Sequence, residues 1–104
     1  MRLDRNENST GAGKYALLHL RRARAAMTPE ISAAITVLDK AGLIEWGKRG
    51  EDDEFFAIKL KDRSAPAALH AYANDAVDYD SEFAYDVSAM ATRAERHPGK
   101  KQPD

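Results

Sequence analysis

The stretch from Leu43 to Tyr72, LIEWGKRGEDDEFFAIKLKDRSAPAALHAY, constrains the fold of this chain more than any other. It holds the single Trp, two of the three Phe and the densest apolar patterning. Leu43 to Gly47 reads as a short strand with Ile44 and Trp46 on one face. Lys48 to Asp53 is a turn pivoting near Gly50. Glu54 to Lys61 then alternates, with Phe56, Ile58 and Leu60 facing one way and Phe55, Ala57, Lys59 and Lys61 the other. The pattern predicts an antiparallel hairpin with Trp46 and Phe56 in the core. Phe55 stands apart, on the face it shares with two lysines.

The flanking segments supply helices. Tyr15 to Leu20, YALLHL, alternates as a strand would, while Arg21 to Met27 is rich in helix formers, so a helix over Tyr15–Met27 competes with the strand. Thr28-Pro29-Glu30 is a helix start: a capping hydroxyl, Pro at the first helical position and an acid in the first turn. Ile31, Ala34, Ile35, Leu38 and Ala41 follow at helical spacing, with Glu30, Ser32, Thr36, Asp39 and Lys40 opposite. Gly42 ends the helix as a left-handed cap. Ser64 is placed to cap the next helix, with Pro66 in its opening turn and Ala68, Leu69, Tyr72, Ala73 and Ala76 available for packing. A last helix starts at Asp80 or Ser81, carries Phe83, Val87, Met90 and Ala94 as one stripe, and stops at His97-Pro98-Gly99. The order β-α-β-β-α-α predicts an α+β domain, a small antiparallel sheet packed by helices. It spans residues 14–97, between a flexible arm at 1–13 and a flexible tail at 98–104.

A chain of 104 residues makes one domain with a modest core. The absence of cysteine removes thiol nucleophiles, disulfides and Cys-based zinc sites, and fits a reducing cytoplasm. No apolar run approaches the ~20 residues that span a bilayer, and the first residues have no apolar core of a secretory signal. The reading is a soluble cytoplasmic protein without a membrane partner.

Charge is uneven. Residues 1–50 carry nine Lys and Arg against five Asp and Glu, residues 51–104 seven against twelve, for a net −1. Arg21, Arg22 and Arg24 form the densest basic cluster, suited to gripping phosphate or an acidic partner, or to a solvated connection. Lys48 and Arg49 lead into Glu51, Asp52, Asp53 and Glu54, four consecutive acids at the hairpin tip. These form a hook for a basic partner or an ordinary solvated turn that guards the strands against edge pairing. Asp75, Asp78, Asp80, Glu82 and Asp86 form a second acidic run. Its Asp-x-Asp-x-Glu start is not a calcium loop, because Phe83 stands where Gly is required and Ala89 where the closing acid belongs. Helix capping by Asp80 is the simpler account.

Catalytic patterns are missing. Gly13-Lys14 fails as a phosphate loop, since Asn8 replaces the first Gly, Tyr15 replaces Ser/Thr and no strand precedes it. His19, His70 and His97 are too scattered for a metal motif, and no GxSxG or HExxH occurs. The expectation is a protein without enzyme activity, cofactor or metal.

The blocks GKYALL (Gly13–Leu18), GLIEWG (Gly42–Gly47), DEFFAIKLKDRSAPAALHAYA (Asp53–Ala73) and the closing QPD resemble small proteins encoded by tailed phages and prophages, over nearly the whole chain. That resemblance implies a phage accessory protein in a bacterial cytoplasm and transfers no functional residues. A helix ending LxxAGLI before a hairpin is also similar to the recognition helix and wing of winged-helix regulators. That likeness implies Ile31–Ala41 in the major groove and Lys48–Arg49 at the wing tip. Against it stand the acids Glu30 and Asp39 on the helix's outer face, the acidic tip and, unless Tyr15–Met27 is helical, the lack of the two preceding helices.

The reading these features favour is a non-catalytic accessory protein that binds another protein, such as a host or defence factor. Phe55 would be its aromatic anchor, with Glu51, Asp52, Asp53, Glu54, Lys48, Arg49, Arg21, Arg22 and Arg24 as its charged contacts. The alternatives are a winged-helix DNA binder and a structural homo-oligomer.

Overall fold

Backbone polar groups at a helix end need partners, and the ends of the four helices show how this sequence supplies them. The computed structural model describes Thr10 and residues 13–100, with α1 at Leu20–Ala25, α2 at Pro29–Lys40, α3 at Ala65–Ala76 and α4 at Ser81–Glu95. The chain divides into two compact units. One is residues 17–56, and the other is formed by the chain on either side of it. The flexible arm and tail expected at the two ends fall largely outside the described residues.

In residues 17–56, α1 is one short helix of Leu, Arg and Ala, all strong helix formers. His19 caps it, its Nδ1 accepting from the Arg22 N–H at 3.2 Å. After Ala26–Thr28, the Thr28 hydroxyl accepts from the Ile31 N–H at 3.2 Å and opens α2, with Pro29 in the first turn. The exit from α2 is a double-bonded cap. Gly42 takes φ +74°, its N–H donates to the Asp39 carbonyl and the Leu43 N–H donates to the Leu38 carbonyl, both at 3.0 Å. Residues 43–48 and 54–59 carry no regular secondary structure.

The second unit holds α3 and α4, joined by residues 77–80 as a helical hairpin. Asp80 caps α4, its Oδ1 accepting from the Phe83 N–H at 3.1 Å. The Lys100 ammonium donates to the Ala94 carbonyl near the other end. The buried residues are Ala65, Ala73 and Ala76 on α3 and Ala84, Val87, Ala91 and Ala94 on α4. The α4 set recurs at steps of three, four and three, the spacing of a helix seam facing one partner. Tyr72 and Phe83 meet edge to face at 5.9 Å, and His70 Nε2 contacts Glu95 Oε1, tying α3 to α4.

The expected α+β architecture is therefore corrected: among the described residues the protein is helical, without a strand or sheet. The Tyr15–Leu20 strand is absent. Leu20 already belongs to α1, and the competing helix forms over Leu20–Ala25 alone. The Leu43–Gly47 and Glu54–Lys61 strands are absent as well. A lone hairpin is marginal in water and needs a third strand or a covering helix. Gly47 adds a local reason, taking φ +63° within the first run, outside the extended region a strand requires.

Candidate functional site

The buried residues of this molecule lie in the α3–α4 unit, and residues 17–56 expose large apolar side chains without burying any. Among the described residues of 17–56 none is buried, including every residue of α1 and α2. Ile31, Ile35 and Ile44 are half-buried. Leu17, Val37 and Leu43 are well exposed, and so are the aromatics, with Trp46 at 38%, Phe55 at 56% and Phe56 at 80%. The expectation that Trp46 and Phe56 are core is corrected: both are exposed, and Phe56 is the most exposed large apolar side chain described. Alternation assigned its face, and without a sheet no face exists to be buried.

Two contacts fix the aromatic residues locally. The Trp46 indole N–H donates to Asp39 Oδ1 at 2.7 Å, holding the segment after α2 to that helix. The Phe55 ring lies so close to Gly47 that a Cβ there would overlap its ring carbons. The polypeptide thus brings the Gly47 backbone against the Phe55 ring. Asp39 and Gly47 carry this arrangement, and sequence reading placed Asp39 on a solvent face. The available signal was Trp46 itself, whose N–H needs an acceptor when its ring packs.

The turn between them is built by hydrogen bonds. The Glu51 N–H donates to the Lys48 carbonyl at 3.2 Å and the Glu54 N–H to the Glu51 carbonyl at 3.1 Å. Gly50, at φ +87°, donates its N–H to Glu54 Oε1 at 3.0 Å. Glu54 is therefore a turn-closing residue, and Glu51, Asp52 and Asp53 remain as the acidic tip, all exposed. Lys48 and Arg49 are exposed on the incoming limb. Arg21, Arg22 and Arg24 are exposed on α1, where cations in the last turn also suit the helix dipole. Among the described residues no ion pair joins the arginines to the tip acids.

The second acidic run gathers where α3 ends and α4 begins. A shallow depression there is lined by Ser81, Glu82, Tyr85 and Asp86, and Asp86 Oδ2 is enclosed without a hydrogen-bond partner. No group of His, Asp and Glu among the described residues is arranged to hold a metal ion. No helix among them is long and apolar enough to cross a membrane.

Comparisons with protein-family models, curated proteins and solved structures return no match.

Proposed function

We propose that this chain is a non-catalytic protein-binding module that works through residues 17–56. One observation carries the reading: the segment keeps Leu17, Val37, Leu43, Trp46, Phe55 and Phe56 at its surface while burying nothing of its own. Exposed apolar surface on this scale marks an interaction site. Helices as short as α1 and α2 also draw their stability from packing rather than from propensity, and packing here needs a second surface. Phe55 and Phe56 are the anchors, and the arginines and tip acids set orientation at the rim.

The test is co-expression of tagged and untagged chain in bacteria, with capture from nuclease-treated lysate. A protein retained in stoichiometric amount, and lost with Phe55→Asp or Phe56→Asp, supports the module. Retention unchanged by both substitutions sinks it.

A winged-helix DNA binder is the second reading, favoured by the order of a short helix, a three-residue turn at 26–28 and a longer helix. The charge on α2 opposes it, since Glu30 and Asp39 outnumber Lys40 and Asp39 already holds Trp46. Its mark would be recovery of nucleic acid in the untreated lysate, falling steeply with salt.

A further inference from the structure

We infer that the protein covering residues 17–56 is a second copy of this chain, placed by a two-fold axis that sets the arginines of α1 against the acidic tip of the partner copy. The inference rests on the protein-binding reading above and names its partner. Area is the first argument. At ~200 Å² for a large side chain, the exposed fractions of the large apolar residues of 17–56 amount to roughly 1,000 Å². A standard stable interface takes about 800 Å² from each partner, so the segment exposes enough for one such contact.

Charge selects the occupant. Arg21, Arg22 and Arg24 carry three positive charges. The tip carries four negative charges on Glu51, Asp52, Asp53 and Glu54, with Lys48 and Arg49 directly before them, for a net charge of −2. Both sets are exposed, and they do not pair with each other within the chain. Lys48 and Arg49 stand before the reversal at Gly50, on the incoming limb. In a two-fold interface residue i meets j and j meets i, so a surface carrying one cluster of each sign is complementary to itself. A different protein would have to reproduce both clusters at the right separation, whereas a second copy brings them by symmetry.

The experiment is sedimentation equilibrium on the 104-residue chain across about 1 to 100 µM, with Trp46 emission read in parallel. The expected mass is ~23 kDa, twice the 11.5 kDa of the chain, with a blue shift of Trp46 emission as the dimer forms. Two charge-reversed variants decide the arrangement, one with Arg21→Glu, Arg22→Glu and Arg24→Glu, the other with Glu51→Lys, Asp52→Lys and Asp53→Lys. Each alone should associate at least tenfold more weakly, and an equimolar mixture should recover a mixed dimer, because each reversed cluster then meets its opposite. Phe56→Ser, at a residue too exposed to hold the fold, should give a monomer without touching the charges. A chain of 11.5 kDa at every concentration overturns the inference, as does a dimer whose reversed variants associate as wild type or fail to recover when mixed. A monomer that still captures another protein through Phe55 overturns the second copy alone. A monomer that captures nothing overturns the binding reading as well.

Discussion

The α3–α4 hairpin and residues 17–56 invert the usual relation between apolar content and burial. The hairpin buries six alanines and one valine, while 17–56 holds Trp46, Phe55, Phe56 and several leucines and buries none of them. The difference is geometric. Two helices joined by four residues present complementary faces at once, and small side chains let them approach closely. In 17–56 a six-residue helix, a twelve-residue helix and two irregular runs offer apolar side chains without a matching surface. Burial follows from having an element to pack against, and residue hydrophobicity alone does not secure it.

The largest test of that contrast places the same change in both regions. Ala91→Asp puts a carboxylate into the seam of α4, where Ala91 is fully buried, and should cost several kcal/mol because a buried charge has no partner there. Ala33→Asp, on an exposed position of α2, should stay within about 0.5 kcal/mol. Thermal melts followed by circular dichroism give both values. Equal losses would mean that α2 is packed as tightly as α4, and the contrast would fail.

Phe56 sharpens the comparison from the other side. Removing a large aromatic from a core costs about 3–5 kcal/mol, but at 80% exposure Phe56→Ala should leave the melting of the isolated chain within about 0.5 kcal/mol. Association should fall by about 2 kcal/mol if the ring anchors the contact. Denaturation at low concentration and sedimentation at high concentration separate the two effects. A large stability loss at low concentration would place Phe56 inside the monomer's own packing.

The sequence makes some of these features legible and hides others for definite reasons. Capping is local, so Thr28, Gly42 and Asp80 announce their roles within four residues of chain, and all three perform them. The α4 stripe was half visible. Val87 and Ala94 lie in the seam, while Phe83 and Met90 flank it and Ala84 and Ala91 fill it. Reading the largest apolar residues as the core misleads when two helices meet through alanine. Alternation at Glu54–Lys61 reports a sequence suited to a sheet and says nothing about whether neighbouring strands exist, and the expected hairpin does not form. Of the candidate site, the charged clusters are legible as runs in the sequence, whereas the exposure of Phe55, the Asp39–Trp46 bond and the Gly47–Phe55 contact depend on chain reversals that spacing does not encode.

Asp39→Ala probes that hidden part. It removes the acceptor 2.7 Å from the Trp46 indole, and for a partly exposed bond the loss should be about 1 kcal/mol. Trp46 emission should move to the red as the ring comes free of α2. Because 17–56 has no buried residue to hold the ring otherwise, the optical change should exceed what the small energy suggests. Unchanged emission would show that Trp46 is held by apolar contacts instead.

The smallest effect distinguishes two neighbouring residues at the start of α3. Ser64 occupies the capping position but makes no side-chain cap bond. Asp62 acts two residues earlier, its Oδ1 accepting from the Ser64 N–H at 2.8 Å while its carbonyl accepts from the Ala65 N–H at 3.0 Å. An aspartate turn of this kind sets the direction of entry and satisfies an N–H that would otherwise point to solvent. Asp62→Ala should therefore lower the stability of the hairpin by ~0.5 kcal/mol, and Ser64→Ala should change it by less than about half of that. Chemical denaturation of the two variants side by side resolves the order. A Ser64→Ala loss of about 1 kcal/mol, the usual worth of a capping hydroxyl, would return the cap to Ser64 and make Asp62 a bystander.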